Sequence, residues 1–209
     1  THSQVVLQQL NVTESDAQLF GRLAGSIIYA NSSLRADTDI LKKNHRGQSG
    51  LWGYAISGDL PIMLLRIEDP ANISLVRQLV QAHAYWRLKG LAVDLVIWNE
   101  DRAGYRQLLQ DQIMGLIAAG LEANVTDRPG GIFVRLAEQI SNEDSILIQT
   151  VARVVISDNW GLLADQINRR GLVKSIMPRL KPTRTLRPES STVVAMLRRD
   201  LTFFNELGG

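Results

Sequence analysis

Two short apolar runs stand out from an otherwise amphipathic chain: Ile62-Met63-Leu64-Leu65-Arg66-Ile67 and Leu91-Ala92-Val93-Asp94-Leu95-Val96-Ile97-Trp98. Nearly continuous runs of this length suit strands buried on both faces of a parallel sheet. Around them, apolar residues recur every three or four positions. Ala17, Phe20, Leu23, Ala24, Ile27 and Ile28 predict an amphipathic helix over residues 14–29. Thr13 is its N-cap, Glu14 and Asp16 favour its positive end, and Asn31-Ser32-Ser33 closes it. Asp69-Pro70 opens a second helix, whose inner face is Ile73, Val76, Leu79, Val80 and His83 and whose end is Lys89-Gly90. Asp101 caps a third, with Tyr105, Leu108, Leu109, Ile113, Leu116 and Ile117 inward and Gly120 at its end.

Other stretches carry weaker patterns. Val5-Val6-Leu7 with Leu10 and Val12 reads as a short strand or an extended arm, and residues 34–43 as a short helix or a surface loop. Ala123-Asn124-Val125-Thr126 is expected as a third strand, Asp127-Arg128-Pro129-Gly130-Gly131 as a turn, and Ile132-Phe133-Val134-Arg135 as a fourth strand. Ser141 with Asp144 resembles a capping box opening a helix through Ile146, Leu147, Thr150, Val151, Val154 and Val155. A short helix is expected over 160–169. Beyond it, Pro178, Pro182 and Pro188 alternate with Lys174, Arg179, Lys181, Arg184 and Arg187, a density of proline that prevents continuous helix. Thr192 then starts a last helix with Val194, Leu197, Leu201 and Phe204 on one face. Strand, helix and strand in succession make the expected fold α/β: a small open, mostly parallel sheet flanked by helices, with an extended basic arm and a C-terminal helix. The expected division is an N-terminal arm and helix (1–44), an α/β core (45–169), a Pro-rich basic linker (170–191) and a C-terminal helix (192–209) leading to a lobe outside the chain.

Composition narrows the class. The 209 residues suffice for one sizeable core, and 45% hydrophobic with 21% charged residues is ordinary for a globular protein. With 23 Lys plus Arg against 21 Asp plus Glu, the formal charge is +2, so no nucleic-acid partner is expected despite a pI near 9.1. The absence of cysteine excludes a disulfide framework and a thiol nucleophile. No apolar run approaches the roughly 20 residues that span a bilayer, and the first residues lack signal-peptide features. Thr1 in place of methionine and Gly208-Gly209 directly after a helical pattern lead us to expect a piece of a longer polypeptide.

The densest chemistry lies in residues 45–61, HRGQSGLWGYAISGDLP, which feed the first apolar run. Its glycines permit tight turns or close approach. Gln48, Trp52, Tyr54 and Asp59 together form the mixed aromatic and polar surface that grips ring-shaped polar ligands. A packed entry loop with Trp52 and Tyr54 buried is the alternative. A second candidate group is Trp98-Asn99-Glu100-Asp101, because parallel sheets bind ligands beyond the carboxyl ends of their strands; Glu68, Asp69, Asp127 and Arg128 are expected on that edge too. Here the alternative is that Asn99 and Asp101 cap a helix. Asp94, inside an apolar strand, needs a hydrogen-bonded partner if buried. His2, His45 and His83 lack metal-ligand spacing, and His83 reads as a core histidine. The glycines precede a strand, whereas nucleotide-binding loops follow one, so no nucleotide, metal or other cofactor is expected.

Gly47-Gln48-Ser49-Gly50-Leu51-Trp52 followed by Ile56-Ser57-Gly58-Asp59-Leu60-Pro61 resembles a segment of cyclic β-1,2-glucan synthases and of their relatives in the cellobiose and chitobiose phosphorylase family. The resemblance continues through residues 75–100, Gln149–Val155 and Phe203-Phe204-Asn205-Glu206-Leu207-Gly208-Gly209. It implies a large bacterial enzyme performing glycosyl transfer or phosphorolysis on β-glucan in the cytoplasm, attached to the inner membrane, if at all, by segments not present here. In such relatives the catalytic acid lies farther along, and no residue here matches its motif. The implied role is a non-catalytic module whose partners are other lobes of the same polypeptide and β-1,2-glucan, with Gln48, Trp52, Tyr54, Asp59, Trp98 and Asn99 as carbohydrate-binding candidates. The competing reading is a self-sufficient small-ligand or nucleotide-binding enzyme domain using the strand ends near Asn99 and Glu100.

Overall fold

A computed structural model describes residues 7–101 and 106–168. These lie in one compact unit of the chain, Thr1–Val173. The expected basic arm and last helix fall outside the described residues.

Four strands form one parallel sheet: β1 (Ile62–Ile67), β2 (Asp94–Asn99), β3 (Ile132–Leu136) and β4 (Val154–Ser157), in the order β3-β2-β1-β4. The two apolar runs are the central pair, with Leu64 opposite both Val96 and Val155. Their continuity follows from burial on both sides. Met63, Leu65 and Ile67 join Leu95 and Ile97 in one core, while Ile62 and Leu64 join Val96, Trp98 and Phe133 in the other. Fully burying such a side chain stabilises by about 1.5–3 kcal/mol.

The first face is covered by α1 (Glu14–Tyr29), α4 (Ile73–Leu88), α5 (Arg106–Ala118) and α7 (Leu163–Asn168), the second by α2 (Thr38–Lys42), α3 (Ser49–Trp52) and α6 (Asn142–Val151). α1 opens with a capping box between Thr13 and Asp16 and stops where Ala30 turns left-handed at φ 52°. Its Phe20, Leu23 and Ile27 enter the same core as the sheet, and the Trp86 indole of α4 donates to Phe20 O at 2.9 Å. β1 to β2 to β3 steps outward through α4 and α5; β3 to β4 returns across the sheet with α6 on the opposite face. The strand order therefore reverses between β1 and β4.

Several sequence expectations are corrected. Residues 7–10 are helical rather than extended. Ala123–Val125 is a 3₁₀ turn; only Thr126 makes an isolated bridge, to Ile132, so the expected third strand is absent and the expected fourth is β3. Consequently Asp127 and Arg128 enter β3 instead of leaving a strand, and Asp127 pairs with Arg135 at 2.8 Å. The helix from Ser141 ends at Val151, and Val154 and Val155 belong to β4. The run Ile146–Ile156 mixes β-branched residues that serve either state, and pairing with β1 selects strand for its end. Leu108, expected inward on α5, is 50% exposed, and Asp158–Trp160 is a 3₁₀ turn that precedes α7. Among the described residues no helix is long and apolar enough to cross a membrane.

Candidate functional site

The glycine-rich loop is a stitched entry to β1. Gln48 Nε2 donates to Ser57 O at 2.8 Å and to Asp59 Oδ1 at 3.2 Å. Gly58 has φ +79°, and a Cβ there would stand 2.9 Å from both Gln48 Cγ and Leu51 Cδ1. Gly50 lets α3 rest on α6: its Cβ would come 2.6 Å from Leu147 Cδ2. Beside that contact the Asp144 carboxylate receives Arg46 Nη1, Tyr54 Oη at 2.9 Å and Ser141 Oγ at 2.8 Å. Burial works against the Asp144 charge, but these hydrogen bonds and the Arg46 charge outweigh it and hold the carboxyl below its ordinary 3.8. Burial, then the hydrogen bond to Asp144, raises the Tyr54 hydroxyl above its ordinary 10.0.

The six sugar-binding candidates do not converge. Gln48 and Asp59 line a cleft of about 390 Å³ at the amino-terminal edge of the sheet, with Arg46 and Arg153. Trp52 is 64% exposed on α3, while Tyr54 is half-buried by its bond to α6. Trp98 and Asn99 lie at the opposite, carboxyl end of β2, and both are buried. Trp98 is held within the core on the α6 face, its indole N–H without a partner. Asn99 accepts from Asp101 N at 3.1 Å, and its Nδ2 donates to Gln110 Oε1 on α5 at 3.4 Å.

The carboxyl ends of β1 and β4, where the strand order reverses, form the crevice in which open α/β sheets bind ligands. Toward α4, this crevice is filled by the chain itself. Asp158 Oδ2 accepts from Glu68 N at 3.0 Å, Asp69 N at 2.9 Å and Asn72 Nδ2 at 3.4 Å. A carboxylate thus takes the backbone amides that a phosphate would need. Gln166, fully buried on α7, brackets the end of β4 by accepting from Ser157 N and donating to Ser157 O and Gly161 O.

Toward α6 the crevice opens into a cleft of about 370 Å³. Arg66 projects there from β1 and holds Glu100 with two bonds, Nε to Oε1 at 2.8 Å and Nη2 to Oε2 at 3.1 Å. Arg35, Gln149 and Trp160 line the same cleft; Arg35 Nη2 donates to Thr150 O at 2.7 Å, and its Nε is buried without a partner. Sequence reasoning missed Arg66, Arg35, Gln149 and Trp160. A single charge near the carboxyl end of an apolar strand was the available signal for Arg66; the others come from segments whose nearness to β1 only folding sets.

Two further buried charges sit away from this edge. Asp94, fully buried at the start of β2, accepts from Gly130 N at 2.6 Å, while its Oδ2 has no partner. Burial, only partly offset by that amide, raises its carboxyl above the ordinary 3.8. His83 places its ring nitrogens against Glu122 Oε2 at 2.7 Å and Val93 O at 2.8 Å. Burial opposes the Glu122 charge, but His83 and then Arg87, which bonds Oε1 at 3.1 Å, hold its carboxyl below 4.5. His83 is therefore a core histidine, tying α4 to the turn after α5. Among the described residues no group of three or more His, Asp or Glu is placed to hold a metal ion.

No protein-family model matches the chain. Over its full length it is 31% identical, across 217 aligned residues, to a segment of the cyclic β-(1,2)-glucan synthase NdvB of Rhizobium meliloti (strain 1021). That segment is 8% of the relative's own length.

Proposed function

We propose that a chain similar throughout to a segment of a cyclic β-(1,2)-glucan synthase serves as an α/β module of such an enzyme, carrying no catalytic centre and helping to arrange the lobes around it. The observation that carries this reading is the similarity over the whole 209 residues, which includes the loop, both central strands and α6. The disposition of the acids supports it. Glu100 is held by Arg66, Asp158 by backbone amides, and Asp59 by Gln48, so each is committed to a local bond. Glycosidic chemistry needs two carboxyl groups facing each other across a substrate, about 5–10 Å apart. In this reading the module works in the cytoplasm, any attachment of the larger enzyme to the inner membrane comes from other segments, and the reaction is glycosyl transfer or phosphorolysis of β-glucan performed by other lobes.

The competing reading is a self-sufficient small-ligand or nucleotide-binding enzyme domain using the strand ends near Asn99 and Glu100. It is disfavoured because Asn99 is buried and the Glu100 carboxylate is held by Arg66, while the neighbouring amides after β1 are taken by Asp158, which would repel a phosphate. The test is incubation of the 209-residue chain with β-1,2-glucan plus phosphate, and separately with nucleotide-sugar donors, followed by product chromatography. No product is expected. Robust turnover by this chain alone would overturn the proposal.

A further inference from the structure

We propose that the cleft between the carboxyl ends of β1 and β4, on the α6 face, is a carbohydrate subsite that takes a stretch of β-linked glucan. Trp160 supplies its stacking face, and Arg66, fixed from behind by Glu100, its polar grip. The choice of glucan rests on the module reading above; the location rests on the geometry.

Three observations point to this place. The strand order reverses here, and since Asp158 fills the crevice toward α4, the half toward α6 is the accessible one. Its volume of about 370 Å³ lies within the range of small-molecule sites. Its lining matches a neutral polyol. Trp160 is 37% exposed and offers an apolar ring with a polar edge. Arg66 keeps 33% of its side chain exposed while Glu100 fixes it with two bonds, so its remaining guanidinium donors meet hydroxyl groups at little further ordering cost. Glu100 neutralises Arg66, and the other two charged residues of the lining, Arg35 and Asp37, are of opposite sign, so the grip suits sugar hydroxyls better than a phosphate. Gln149 lies along the same wall, as does Arg35 with its unpartnered Nε.

Three other clefts of similar size lack this combination. Neither the one at the amino-terminal edge nor the one between α4 and α5 is lined by an aromatic ring, and Gln48 and Asp59 in the former are bonded to each other. The third, of about 380 Å³ beside the end of β3, has Tyr54 and Arg135, but the Tyr54 hydroxyl is bonded to Asp144 and Arg135 to Tyr54 O and Asp127.

The experiment is an NMR titration of the ¹⁵N-labelled 209-residue chain with linear β-1,2-gluco-oligosaccharides, following the indole N–H signals of its four tryptophans. Trp160→Phe and Trp52→Phe assign two of them. Saturable movement of the Trp160 signal with a steady Trp52 signal is expected, together with a loss of affinity of about tenfold or more in Trp160→Ala. Arg66→Lys, which keeps the charge but not the two-bond geometry, should weaken binding in the same direction. Circular dichroism of each variant separates lost binding from lost folding. Movement of Trp52 alone overturns the location, and so does unchanged affinity in a folded Trp160→Ala. Saturation by inorganic phosphate in place of oligosaccharide overturns the ligand class. A chain that binds no oligosaccharide up to millimolar concentration overturns this inference but leaves the module reading intact, since turnover in the separate assay is what defeats that.

Discussion

Removing the Asp158 side chain tests whether the crevice beside β4 is filled by a structural carboxylate. Asp158→Ala strips the acceptor from two backbone amides at 3.0 and 2.9 Å and from a weaker side-chain donor, Asn72, at 3.4 Å. Each hydrogen bond to a charged group contributes about 1.5–3 kcal/mol. The lower end applies because Glu68 and Asp69 are exposed, so water can reach their amides, and because the variant also removes Oδ1, which is buried without a partner. The expected loss is about 2–3 kcal/mol, with the weak third bond neglected. Asp158→Asn retains a carbonyl oxygen that can serve both amides and should lose only about 1 kcal/mol, the difference between charged and neutral acceptors. Urea unfolding followed by tryptophan emission suits the measurement, because Trp86 and Trp98 are buried in this unit and report its opening. A shift in midpoint without a change of slope is expected. A loss below about 0.5 kcal/mol in the alanine variant, within the range of ordinary surface changes, would refute the reasoning, and so would equal losses in both variants. Phosphate should not raise the wild-type midpoint, since its seat is taken.

Three other outcomes follow from the site geometry. In a double-mutant cycle, Tyr54→Phe and Asp144→Asn should couple by about 1–2 kcal/mol in urea unfolding, since the 2.9 Å bond joins a hydroxyl to a largely buried carboxylate. Glu122 and Asp144 titrate in the folded chain below their ordinary 4.5 and 3.8, so the stability they contribute is fully present above those values and is lost as pH falls through the lower folded ones; Asp94, raised above 3.8, works oppositely and costs stability as pH rises through its folded value. Thermal melts across pH should therefore show Glu122→Gln flattening the acid-side loss and Asp94→Asn becoming relatively more stable toward neutral pH. Gly50→Ala should destabilise by about 1–3 kcal/mol by overpacking against Leu147, and Leu147→Val should recover part of that in the double variant.

For the two central strands, for α1 and α4 and for their caps, the local signal made the sequence alone decisive. β1 and β2 are legible because burial on both faces demands an unbroken apolar run, and α1 and α4 because one-sided burial demands a three-to-four spacing. Thr13, Asp69 and Ser141 are legible as caps because a cap bonds within its own turn. Of the loop's glycines, Gly50 and Gly58 do mark close approach and Gly47 and Gly53 do not, and the sequence did not show what was approached.

Tertiary structure decided everything that depends on partners far along the chain. Val154–Ser157 becomes a strand because β1 offers it a ladder, which no periodicity within residues 146–156 announces. The bond from Tyr54 to Asp144 spans 90 positions, that from Glu68 to Asp158 another 90, and the Arg66–Glu100 pair spans 34. Nothing in residues 45–61 shows that Gln48 and Asp59 face one end of the sheet while Trp98 and Asn99 close the other. A chain of one-dimensional neighbours encodes its own turns and stripes directly. Which edge becomes a cleft depends on strand order, and strand order is settled only when the two apolar faces are covered at once.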